Sequence, residues 1–290
     1  MSIDQLHNRI RKFKNPSMIN FEITLDVLPP HLLEQEGTFL KAYDRFCREL
    51  LYALKDFVPA VRFSSSLFFM IGEEGGKILL NILSYAKELG YYVLLDAPEI
   101  LSPTAAVFAA QVLGSNEYSC DAVVISPYIG SDALKPFLPA CKAGKQTLFV
   151  VVRSPNRSAS ELQDLQFGAR QAHIAAADMV SRHGENVMGN CGYSQIGALV
   201  SAGTPEILRS LRVKYPRVFL LVDGLDYPSG NHKNCSIAFD KFGHGAIVCA
   251  GTSITAAWKE NGSVGEDYLL HAVNAAEKVK RNLYRYVNVL

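Results

Sequence analysis

The chain has no apolar run approaching the roughly 20 residues that a membrane-spanning helix needs, so an integral membrane protein is not expected. It has no excess of charge of either sign: 29 basic residues stand against 28 acidic ones, a net charge of +1. Nucleic acids and anionic lipid surfaces are held by clustered positive charge, so neither is an expected partner. It has no C-x-x-C pair. The six cysteines, at positions 47, 120, 141, 191, 235 and 249, are scattered along 290 residues. Unpatterned thiols point to a reducing compartment and offer no zinc site. The opening residues, MSIDQLHNRIRKFKNP, are polar and lack the apolar segment of a secretory signal, so a cytoplasmic location is expected. No linker, low-complexity stretch or tandem repeat divides the sequence, and a single domain over residues 1–290 is expected.

What the chain does have is apolar material, 49% of its residues, arranged in one rhythm. Short apolar or β-branched runs occur at Met18–Ile23, Ala60–Phe63, Tyr91–Leu95, Ala122–Ile125, Thr147–Val152, Ile196–Val200, Val218–Val222 and Ala246–Cys249. Continuous rather than alternating apolar runs are the signature of parallel strands buried on both faces. Amphipathic stretches such as FLKAYDRFCRELLYALKDF and GGKILLNILSYAKELG separate them, the second stopping at Gly90 just before a strand. Eight strand–helix units predict an α/β protein of the (β/α)₈ TIM-barrel class. A doubly wound open sheet is the alternative, but no glycine-rich nucleotide fingerprint follows the first strand. Tyr43, Phe46, Leu50 and Leu54, at helical spacing, are expected to pack into the core.

In a barrel the site is built where strands end. Those positions carry Glu22 and Thr24 to Asp26, Arg62 and Ser64, Asp96, then SPYIGSDALKPF, RSPNRSASELQDL, SAGTPE, DGLDYPSGN and CAGTSITAAWK. The loops are richer in Gly, Ser, Thr, Asp and Pro than a purely structural rim requires.

With these segments in order, the sequence resembles the orotidine 5′-monophosphate decarboxylase family, in its longer bacterial branch. The resemblance is carried by NPS at residues 15–17, SPYIGSDALKPF, SELQDL, GYSQIGALVSAGTPE and GAIVCAGTSITAAWK, and it covers essentially the whole chain. It implies a carbon–carbon lyase of pyrimidine nucleotide biosynthesis that uses no cofactor and no metal, and that pairs as a homodimer with the strand 3 and strand 4 loops at the contact. It also implies a nucleotide or other small-molecule ligand, touching Glu22, Thr104, Ser126, Tyr128, Gly224, Gly251 and Thr252, with Arg62 and Asp96 as the catalytic positions.

The resemblance further implies departures. The family has a Lys on strand 2 and a D-x-K-R-G-D motif after strand 3, whose Lys protonates the carbanion left by decarboxylation. Asp96 matches the first Asp, but Arg62 takes the strand 2 Lys position, Pro98 takes the proton donor's and Glu99 the Arg's. Ile100 and Leu101 follow, and the second Asp has no counterpart. No shift of register restores the donor, since no Lys occurs between Lys87 and Lys135. Glu22 replaces an Asp that contacts ribose. Asp223 to Gly230 replaces a P-G-x-G-A-Q-G-G phosphate loop, and Thr252 replaces a phosphate-clamping Arg. Three readings follow: a family member that has lost decarboxylase activity, an active enzyme using a substitute acid such as Glu99, or a barrel repurposed for another small molecule. Asp223 and Asp226 with His232 read either as a new cation site or as a solvated loop. The basic KVKRNLYRY near the C-terminus reads as the solvated face of the closing helix.

Overall fold

The structure, a computed structural model, describes residues 2–21, 24–70, 72–98, 104–112, 120–261 and 263–289. Eight parallel strands close into a barrel. They are β1 (Ser17–Phe21), β2 (Ala60–Ser64), β3 (Tyr92–Asp96), β4 (Ala122–Ile125), β5 (Thr147–Val151), β6 (Ile196–Ser201), β7 (Leu220–Asp223) and β8 (Ala246–Ala250). Each pairs with its sequence neighbours, and β1 pairs with β8 to complete the ring. This is the expected (β/α)₈ barrel, with all eight apolar runs in place. One small two-stranded hairpin, Gln166–Phe167 with Arg170–Gln171, decorates the connection after β5. No helix among the described residues is long and apolar enough to cross a membrane.

The strands hold because both faces are dry. Every residue of Ala122–Ile125 and Ala246–Ala250 is buried. Phe21 and Phe63 stack at 4.7 Å between ring centroids across adjacent strands, and Phe149 meets Phe219 edge-on at 6.3 Å. Each such ring contributes about 1.5–3 kcal/mol by leaving water. The helix Phe39–Leu54 buries Tyr43, Phe46, Leu50 and Leu54 as its spacing predicts, and its Thr38 cap accepts from the Lys41 amide. The helix Glu73–Glu88 ends two residues before Gly90, whose φ of 84° turns the chain into β3.

The polar opening segment forms a helix, Ser2–Phe13, laid across the bottom of the barrel. Its Ile3, Leu6 and Ile10 are buried, and their i, i+3, i+7 spacing is the signal of that burial. The Ile3 amide donates to Gln195 Oε1 at 2.9 Å, Ser2 Oγ donates to the Asp121 carbonyl at 2.9 Å, and Asp4 Oδ1 accepts from the Cys191 amide at 2.7 Å. Gln195 also accepts from Thr147 Oγ1 at 3.0 Å. The GYSQ part of GYSQIGALVSAGTPE, just before β6, therefore serves the barrel floor. SELQDL likewise serves its own loop: Asp164 takes Arg153 in a two-pronged ion pair at 2.9 Å on each prong, and Gln163 Oε1 accepts from the Ser154 amide at 2.8 Å.

Candidate functional site

Arg62 sits mid-strand on β2, level with Asn20 of β1 and Leu94 of β3. Alternation along a strand sends Val61 and Phe63 to one face and Arg62 to the other. That other face is the barrel interior, because the guanidinium reaches across to β7. Arg62 Nη1 donates to Asp223 Oδ2 at 2.7 Å and lies 3.8 Å from Cys249 Sγ, while Nη2 donates to Asp96 Oδ2. Asp96 and Asp223 are both the last residues of their strands. Arg62 is 5% exposed. Burial by itself would lower its pKa, but the two facing carboxylates outweigh that and hold it well above its ordinary value. Burial, with Asp223 adding to it, pushes the Cys249 thiol up as well.

Arg62 and Asp96 therefore meet at the C-terminal end of the barrel, as expected, and Asp223 joins them. Counted over the described residues, two carboxylates against one guanidinium leave this center with one net negative charge. The cluster is fixed from outside: Ser65 Oγ donates to the Asp96 carbonyl at 3.0 Å, the Ala97 amide donates to Val124 O at 3.0 Å, and the Gly224 amide donates to Asp223 Oδ1 at 2.7 Å. Pro98 follows as an exposed turn residue.

The loop after β7 folds tightly. Gly224 has φ 84°, and a Cβ there would stand 2.5 Å from Pro155 Cβ. A Cβ on Gly230 would stand 1.9 Å from the Gly224 carbonyl oxygen, so only glycine closes this loop. The closure turns Asp226 toward the loop after β8. Its Oδ2 accepts from the Gly251 amide at 2.6 Å and from the Ser253 amide at 3.3 Å.

This corrects the cation-site reading of the Asp223/Asp226/His232 cluster. The carboxylates do not converge: Asp223 is committed to Arg62 inside the barrel, while Asp226 sits in an exposed loop, as the solvated-loop reading has it, with its Oδ2 on two amides of the rim. Among the described residues no three His, Cys, Asp or Glu side chains gather as a metal site.

The other expected ligand positions are dispersed. Thr104 precedes the helix Ala105–Val112 and is exposed. Ser126 Oγ accepts from the Tyr128 amide at 3.3 Å, and the Tyr128 ring is 75% exposed. Gly251 and Thr252 lie beside the Asp226 carboxylate, Thr252 opening the short turn Thr252–Thr255. Glu22 and Glu99 fall outside the described residues. A cavity of about 490 Å³ lies on the outward side of the same loops, lined by Asp226, His232, Ser253, Glu260, Lys278 and Arg281 among others; Arg62 and Asp96 do not line it. Sequence reasoning missed the bond of Asp223 to Arg62 and that of Asp226 to the β8 loop. Only the placement of both acids at the end of β7 and in the loop after it hinted at them.

No family model matches the chain. It is 30% identical over 275 residues to the orotidine 5′-phosphate decarboxylase of Rhodopirellula baltica, an alignment covering 91% of either chain. Among solved structures it is similar to the OMP decarboxylase of Leishmania donovani, with a TM-score of 0.75 at 20% identity over 98% of each chain. It is also similar to the orotidine 5′-monophosphate decarboxylase of Methanocaldococcus jannaschii complexed with the inhibitor BMP, with a TM-score of 0.61 at 15% identity over 93% of this chain and 98% of that one.

Proposed function

We propose that this chain, which belongs to the orotidine 5′-phosphate decarboxylase family, has lost that family's reaction and keeps the barrel as a non-catalytic member. The observation that supports this most is the state of Arg62. Protonating a carbanion needs an acid at contact distance whose pKa lies near the working pH. Arg62 is buried between Asp96 and Asp223, which hold its proton more tightly than an ordinary guanidinium would be held. An arginine is a poor proton donor even without such partners. Pro98, at the position of the expected donor, has no proton to give. The center also carries net negative charge, which disfavours a carboxylated, phosphorylated nucleotide.

A second reading, a barrel repurposed for a different small molecule, is favoured by Asp226, which puts a carboxylate where an anionic ligand would otherwise find free amides. On either reading we propose a homodimer, with the loops at Pro98–Pro103 and Ser126–Ser131 near the contact. The Tyr128 ring of the β4 loop, 75% exposed, supports an apolar interface on that side.

The test is to follow the ultraviolet absorbance of orotidine 5′-monophosphate at high protein concentration, with an active family member as control. No change is expected. Turnover that disappears in Asp96→Ala would overturn the loss of activity and reveal a substitute acid.

A further inference from the structure

In (β/α)₈ barrels the loops after strands seven and eight frequently supply the backbone amides that hold a ligand's phosphate. Here those loops are already joined to each other. Asp226 Oδ2, from the β7 loop, accepts from the Gly251 amide at 2.6 Å and the Ser253 amide at 3.3 Å, both in the β8 loop. We propose that Asp226 is a built-in anion that occupies this place and excludes phosphorylated ligands, so that the barrel mouth selects for phosphate-free ones, such as a nucleoside rather than its monophosphate.

Three features carry this. The first is chemical equivalence: a carboxylate oxygen on two amides offers them what a phosphate oxygen would, so the donors are spent. The second is tethering. Asp226 is held at the amides by a loop that closes on its own main chain, the Tyr227 amide donating to the Gly224 carbonyl at 3.2 Å and the Gly230 amide to the Tyr227 carbonyl at 2.8 Å. An intramolecular competitor acts at an effective concentration no dilute ligand matches. The third is charge. A phosphate dianion that approached would meet the Asp226 carboxylate at near contact and the Arg62–Asp96–Asp223 center, itself net negative, below it. Thr252, between the two donor residues, adds no cation there; Lys278 and Arg281 line the cavity beside Asp226 and Ser253, so the exclusion rests first on the carboxylate holding the two amides. An uncharged sugar hydroxyl meets none of these penalties.

This deepens the reading of the mouth as an altered ligand site, and the test reads binding, so its outcome is separate from whether decarboxylation occurs. The full chain is titrated calorimetrically with inorganic phosphate, uridine and uridine 5′-monophosphate, as wild type, Asp226→Gly and Asp226→Asn. Wild type is expected to bind the monophosphate no more tightly than uridine. Asp226→Gly is expected to gain about tenfold or more for phosphate or the monophosphate, the competitor having been removed, with uridine unchanged. Asp226→Asn retains an oxygen for the amides and sheds the charge, so a smaller gain is expected; it also serves if the glycine variant does not fold. Wild type preferring the monophosphate over uridine by an order of magnitude would overturn the proposal. So would folded variants, judged by circular dichroism, that gain nothing for phosphate.

Discussion

Arg62 on β2 donates to Asp223 on β7 at 2.7 Å, and the two strands are not neighbours: β1 and β8 lie between them. The bond therefore spans the barrel interior and ties its two sides together at the mouth. Removing one partner of a buried ion pair leaves the other uncompensated, at a cost of about 3–5 kcal/mol. Arg62→Met should thus destabilise by about that amount, since it strands both Asp96 and Asp223. Adding Asp96→Asn and Asp223→Asn to Arg62→Met should recover most of the loss. Urea denaturation of the single and triple variants checks this. A single variant as stable as wild type would mean the carboxylates are paired elsewhere.

At the opposite end, Asp4 ties the first helix to Cys191. Burial would push its carboxyl up, but the Cys191 and Asn190 backbone bonds pull it down to about 2. A carboxyl whose pKa falls on folding stabilises the fold above its unfolded value of 3.8, and that contribution disappears as the pH drops toward the folded value. Asp4 should therefore contribute on the order of 2 kcal/mol at neutral pH, lost between pH ~4 and pH ~2. Asp4→Asn should lower stability at pH 7 and flatten the acid limb in just that window. Thermal melts of both proteins from pH 2 to pH 7 measure it.

The proposed homodimer predicts a second solution property. Sedimentation equilibrium at micromolar concentration should give twice the mass of one chain. Tyr128→Glu places a charge on the exposed ring position of the β4 loop and should shift the equilibrium toward monomer without lowering the melting temperature of the barrel itself. A wild-type monomer at that concentration contradicts the dimer.

The barrel was legible because each strand is a continuous apolar run and each run is short. Boundaries moved where turns intrude: the seventh strand begins at Leu220 and not Val218, because the Val218 amide is spent on the Tyr215 carbonyl. The first helix was not legible from its composition, since its apolar stripe of Ile3, Leu6 and Ile10 is diluted by charge. Of the candidate site, Asp96 was legible from its strand-end position and Arg62 as a lone charge within an apolar run. The partners of Asp223 and Asp226 were not. One pairs across the barrel interior, a proximity created only by closure of the ring. The other pairs with main-chain amides, which every residue but proline carries and no sequence pattern marks.

Restoring a single donor should not restore the reaction. Pro98→Lys puts an amine at the position the family resemblance assigns to the proton donor, and a well-placed general acid accounts for about 10²–10⁴-fold in rate. That factor is realised only if substrate is held with its reacting carbon beside the amine, and much of that positioning comes from binding energy at the distant phosphate. In this chain Asp226 occupies the amides there, and Arg62 remains clamped by Asp96 and Asp223. Pro98→Lys alone is therefore expected to be as inactive toward orotidine 5′-monophosphate as wild type. Combining it with Arg62→Lys and Asp226→Gly frees both the charged center and the loop amides, and is the smallest set for which measurable turnover is expected. Comparing single-turnover absorbance traces of the single and triple variants separates the two cases. Activity from Pro98→Lys alone would show that Asp226 gives way to phosphate and that the mouth still holds the nucleotide in place.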